Sequence, residues 1–277
     1  MRYYKEAASQ TISNYLQSII PCQTSFSMLR GLSLADSITA VIVIVVVLLS
    51  LITGFLNLLE HTKRQKAKFF YSFLVFSFGL TLFYRLLVIL NIFDNYPGLL
   101  FIPLYFTLAF GPLLFLYVKL RLFPDYKFVL SDGKHLILPV GQFLFFLYFF
   151  LQPIGIKEMM GRDFYSPFYG SVEMLLYIFS FYFYILAAFR FVKFKENHIS
   201  TLLQRREIIY LKILLKILLL LFWFNSAYII LDFVSYNFFK INLHNLRGFK
   251  RIGDISFAAM AFWIIMIKIL EWKNKKS

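Results

Sequence analysis

Four ionisable side chains, Arg85, Glu173, Asp232 and Asp254, stand within or at the edge of long apolar runs. A charge at membrane depth is expensive and persists only where something neutralises or uses it. Arg85 lies about eight residues, or roughly 12 Å along a helix, inside the end of its run. Two chemistries suit such a set: a structural ion pair, Arg85 with Glu173 or Asp232, or a polar floor for a ligand cavity. Other chemistries lack their residues. His61, His135, His198 and His244 fall in loops or at run ends, with no HExxH and no pair at helical metal-ligand spacing. Neither a glycine-rich phosphate loop nor a GxSxG elbow occurs. The single cysteine, Cys22, excludes an intrachain disulfide and a thiolate metal cage. Lys268 falls in the last turns of its run, where a snorkelling ammonium is expected rather than a mid-span retinal lysine. The expectation is a non-enzymatic protein with no catalytic residue, metal or cofactor.

The elements that would position these residues are membrane spans. The chain is 60% hydrophobic and 21% aromatic, only 16% charged, with mean hydropathy +0.71. A soluble domain carries about a quarter charged residues. Crossing about 30 Å of hydrocarbon takes roughly 20 residues, and seven runs qualify: 38–59, 69–93, about 98–120, about 135–156, 168–192, 211–235 and about 253–271. The last is the weakest, because few uncharged residues separate Asp254 from Lys268. The fold class expected is therefore all-α, a polytopic bundle of about seven transmembrane helices. Gly111-Pro112 interrupts the third run, FTLAFGPLLFLYVKLRLFP (106–124). Splitting the run there leaves a piece too short to span, so the pair reads as a kink in a helix starting near Pro103, with Gly111 serving close packing against a neighbour or, as the alternative, the pair serving as a moving hinge.

The formal net charge of +15 would suggest nucleic acid on a soluble protein. Here the basic residues lie in short gaps between spans, and the larger share alternates onto one side. The positive-inside rule then places the N-terminus outside and the C-terminus in the cytoplasm. Domain organisation follows: an extracytoplasmic tail over 1–36, a transmembrane domain over 37–272 and a short basic tail over 273–277. Residues 1–36 carry a weak amphipathic pattern (Ile12, Leu16, Ile19, Ile20), and Met28 opens a workable alternative start, which leaves the nativeness of 1–27 open. Arg205, Arg206, Lys212 and Lys216 head the sixth span, where anionic lipid headgroups are the expected partners. The aromatic runs FLFFLYFF (143–150) and YIFSFYFYI (177–185) suit packing against lipid and each other.

The segment GPLLFLYVKL (111–120), the KHLILP that follows it (134–139) and the basic stretch before two more spans (189–224) resemble the transmembrane N-terminal half of bacterial membrane-anchored AraC-type transcriptional regulators. Gly111, Pro112 and Tyr117 match that family's third-span motif, and His135 and Pro139 match the start of its fourth span with one residue wider spacing. Tyr210-Leu211 stands where the family has Trp-Leu. Five residues after Trp272 cannot hold a helix-turn-helix domain, so no direct nucleic-acid partner is expected. The resemblance implies a sensor module in the bacterial inner membrane. An apolar or amphiphilic ligand would enter from outside near Arg85, Glu173, Asp232 and Asp254, and the output would pass through cytoplasmic loops or an effector protein. Homo-oligomerisation is left open. A small transporter or channel is the main rival, and a lipid-modifying enzyme using Asp132 and His135 is the remoter one.

Overall fold

The computed structural model describes residues 33–60, 65–164, 167–198, 202–241, 243 and 247–276. The amphipathic pattern at 12–20, Cys22, His61 and His244 lie outside the described residues. All regular structure among those described is helical: α1 Leu34–Leu59, α2 Gln65–Ile89, the single turn α3 Ile92–Asn95, α4 Phe110–Leu122, α5 Ile137–Phe150, α6 Ile154–Phe164, α7 Pro167–Glu196, α8 Leu202–Phe239 and α9 Arg247–Lys276. Short 3-10 turns at Pro97–Leu99, Thr107–Ala109 and Leu130–Leu136 join them.

Among the described residues six segments are long and apolar enough to cross a membrane: Leu34–Leu59, Lys66–Ile89, Leu130–Phe150, Val172–Glu196, Gln204–Phe239 and Arg251–Lys273. The chain is thus a multi-pass membrane protein. Its count of long spans differs from the expected seven, and the exception is the third run, not the weak last one. Residues 100–106 are irregular and α4 starts only at Phe110. Pro103 explains part of this: it forces Ile102 toward extended backbone, and Phe101 adopts a left-handed φ of 62° beside it. Gly111-Pro112 is consequently not a mid-helix kink. Pro112 sits in the first turn of α4, where a missing N–H costs no intrahelical bond.

α4 is the centre of the bundle. Every residue from Phe110 to Leu122 except Lys119 is buried, as expected of a helix apolar on all faces. Around it α1 packs on α2, α2 and α7 pack on α4, α8 packs on α7 and α9, and α9 closes back onto α1 and α2. Phe110 stacks on Phe78 of α2 at 3.7 Å between ring centroids and meets Tyr177, Phe181 and Phe257 edge-on. Hydrogen bonds replace hydrophobic driving force where helices meet in lipid. Asn57 of α1 donates to the Lys68 carbonyl and the Ser72 hydroxyl of α2, and the Tyr71 hydroxyl donates to the Ile264 carbonyl of α9.

The packing expected at Gly111 is present. A Cβ there would stand 2.7 Å from Tyr184 Cδ2 and 3.2 Å from the Phe181 Cα of α7. Gly111→Leu is expected to destabilise the protein by about 1–3 kcal/mol through overpacking, read as a lower melting temperature of the detergent-purified chain. Gly141→Leu, at a glycine with open space around it, is expected to leave the melting temperature unchanged; equal effects at both positions would contradict the close approach.

Candidate functional site

Arg85 lies one turn before the end of α2 and points into the bundle. Its Nη1 donates to Asp254 Oδ1 of α9 at 2.8 Å, and its guanidinium lies 4.2 Å from the centroid of the Phe257 ring. Asp254 is only 4% exposed. The expected partner was Glu173 or Asp232; the structure supplies Asp254, because α9 is the helix that packs directly on α2. A buried pair of this kind need not add stability, but removing one member leaves the other charge stranded.

Glu173, near the start of α7, belongs to a different arrangement. Its Oε1 accepts the Thr107 hydroxyl at 2.5 Å and the Gln142 amide at 2.6 Å. The Gln142 amide also donates to Thr107 Oγ1, and the Gln142 carbonyl accepts the Leu108 N–H at 3.0 Å. The Phe106 N–H is taken by Thr81 Oγ1 of α2. Side chains from α2 and α5 thus satisfy the irregular backbone ahead of α4, the condition under which non-helical chain persists at membrane depth, and Glu173 of α7 braces Thr107 and Gln142. Gln142, Thr107 and Thr81 were not singled out from the sequence. A lone amide within LPVGQFLFFLYFF is the signal that could have found Gln142, since a polar group among apolar residues needs a partner.

The two arrangements are linked by rings: Tyr177, one turn after Glu173, lies 5.6 Å between centroids from Phe257, the ring beneath Arg85, and Tyr228 of α8 packs on Gly253, next to Asp254. Tyr105, Tyr84, Phe101 and Phe146 form a separate aromatic cluster beside them, with the Tyr105 ring centroid 5.3 Å from Tyr84 and 5.6 Å from Phe146. Asp232 is partly buried towards the end of α8.

The opposite end of the bundle holds a second buried network that the sequence reading counted as surface charge. Arg121, at the end of α4, makes a two-pronged contact with Glu271 of α9 at 2.9 and 3.1 Å, donates to the Tyr117 hydroxyl and stacks over Tyr210. Lys268 also bonds Glu271, at 3.2 Å, with its side chain 5% exposed. It therefore faces the interior instead of snorkelling, drawn in by the Glu271 carboxylate. Lys68 pairs with Glu60, which accepts the Trp272 indole N–H as well. Burial works to raise the Glu60 carboxyl, but the hydrogen bonds from Lys68 and Trp272 outweigh it and hold it below its usual range.

The remaining candidates are held separately. Tyr117 is engaged by Arg121; His135 Nδ1 lies 2.9 Å from the Tyr184 hydroxyl, and Pro139 occupies the first turn of α5. Asp132 is bonded to Lys119, Tyr126 and the Val129 N–H. Asp132 and His135 thus have different partners. Among the described residues no group of three metal-ligating side chains occurs.

Compared with protein-family models, with curated proteins and with solved structures, the chain matches none.

The buried network at the Arg121 end yields a stability test. Glu271→Gln leaves two interior cations without their anion and is expected to cost about 3–5 kcal/mol. Glu196→Gln removes a half-buried pair with Lys212 and is expected to change stability by at most about 1 kcal/mol. Melting temperatures of the two purified variants check this; a mild effect of Glu271→Gln would mean its charge partners are solvated.

Proposed function

We propose that the chain is a non-enzymatic, receptor-like sensor of the bacterial inner membrane that takes an apolar or amphiphilic ligand at the end of the bundle holding Arg85, Asp254 and Glu173. The observation that supports the reading is a concentration of polar groups inside an apolar protein. Arg85 and Asp254 form an interior pair with the Phe257 ring beneath the guanidinium and Tyr228 packed on the neighbouring Gly253, and Glu173 holds Thr107 and Gln142 at the same end of the bundle. Interior polar groups bounded by aromatic walls are the usual composition of a small-molecule site. On the positive-inside assignment this end faces outward and the Arg121 network faces the cytoplasm. A ligand that prefers one packing of α9 on α2 would alter the second network through α9 itself, since Asp254 and Glu271 lie on that one helix. The output would reach an effector protein through the cytoplasmic loops, and membrane lipids are the constant partners. Homo-oligomerisation is compatible with this reading.

A transporter is the second reading, and one observation favours it: the irregular backbone before α4 and the helix starting from it resemble the discontinuous helices that line transport sites.

Both charges must go together to separate binding from folding. The double variant Arg85→Leu with Asp254→Leu leaves no orphan charge and is expected to stay monodisperse. Native mass spectrometry of the detergent-purified wild type is expected to retain an amphiphile from the host membrane, and the double variant to lose it. An adduct identical on both proteins, or absent from both, would contradict the receptor reading; ion flux through liposomes containing the wild type would favour the transporter.

A further inference from the structure

The bonding of Glu173 is one-sided. Both of its hydrogen bonds enter through Oε1, from Thr107 and Gln142, and among the described residues it forms no ion pair. Arg85 is bonded to Asp254, which leaves Glu173 without an ion-pair partner of its own among the described residues. An acid so placed stays neutral unless a cation comes to it, and a cation that does so gains a charge-assisted hydrogen bond. Buried aromatic residues stand near the three bonded side chains along their own segments: Tyr177 follows Glu173 by one turn of α7, Phe146 follows Gln142 by one turn of α5, and Tyr105 precedes Thr107 by two residues. Aromatic rings attract an organic ammonium that comes within reach of them.

Of the six spans among the described residues, Leu130–Phe150, which carries Gln142, has the smallest share of buried residues, 11% of its most apolar stretch against 22% or more in the others. On α5 only Gln142 and Phe146 are buried. Gln142 bonds Glu173 and Phe146 packs on Tyr84, Phe101 and Tyr105, while most of the other α5 side chains are exposed and would meet lipid.

We propose that Glu173 anchors the ammonium headgroup of a lipid-phase amphiphile, one positive charge on an apolar tail, admitted from the bilayer past α5. This rests on the receptor reading and narrows its ligand. The headgroup bonds Oε2, the carboxyl oxygen that Thr107 and Gln142 leave open, and the tail follows the apolar face of α5.

The test uses the full chain in phosphatidylcholine nanodiscs with three probes of equal tail length: dodecylamine, dodecanol and dodecanoate. Binding is read as a saturable shift in melting temperature. Dodecylamine is expected to bind at least about ten-fold more tightly than dodecanol, and Glu173→Gln to abolish that preference. Should Glu173→Gln fail to fold, a cross-link serves instead. Phe106 and Phe143 stack at 6.2 Å, so Phe106→Cys with Phe143→Cys, in a Cys22→Ser background, is expected to lose dodecylamine binding when bridged by a thiol cross-linker and to keep it when unbridged. Equal binding of dodecylamine and dodecanol, or unchanged binding in the bridged protein, overturns the proposal. Preference for dodecanoate that depends on Arg85 also overturns it while leaving the receptor reading standing. If no probe saturates, the proposal fails, and the native adduct on the wild type decides separately whether the receptor reading survives.

Discussion

In lipid, a backbone N–H without a partner inside the protein has none at all, and this constraint governs the stretch before α4. The Phe106 amide reaches Thr81, the Leu108 amide reaches Gln142, and the Ala109 amide closes a 3-10 turn on Phe106. These bonds fix where α4 starts. They also carry Thr107 and Gln142 to Glu173, so the candidate site is built from the same side chains that make the broken helix tolerable. Remove that fastening and the polar groups of α2, α5 and α7 have no reason to converge.

α9 joins this region to the far end of the protein. Asp254 near its start holds Arg85 of α2, and Glu271 near its end holds Arg121 of α4 and Lys268. The two acids are about 25 Å apart along one helix. Each is anchored to a different helix at a different end, so a shift of α9 on α2 is felt at both networks. Close packing at Gly111, where α4 meets α7, and at Gly253, where a Cβ would stand 2.7 Å from the Tyr228 ring, limits how these helices slide.

The helical membrane class was legible because apolar runs of spanning length are a one-dimensional signal. Span boundaries in the third run were not, since length alone could not tell a helix kinked at Pro112 from one that begins there. The deciding bonds come from Thr81 and Gln142, each more than twenty residues away in sequence. Arg85 was legible as an interior charge, but its partner was not: Asp254 lies 169 residues later, and choosing it over Glu173 or Asp232 requires knowing which helices touch. Lys268 and Arg121 misled for a related reason. Near the ends of apolar runs they read as surface cations, whereas Glu271, packed between them, turns them inward. Gln142 went unnoticed because a search for ionisable groups passes over a neutral amide.

The start of α4 is open to direct measurement by hydrogen–deuterium exchange of the chain in lipid nanodiscs. The Phe106 and Leu108 amides should exchange slowly in the wild type and quickly in Thr81→Val and Gln142→Leu respectively, with the amides beyond Pro112 unchanged in both. Slow exchange from Pro103 through Leu122 that neither substitution disturbs would mean a continuous helix through Gly111-Pro112, and the site described around Glu173 would not exist.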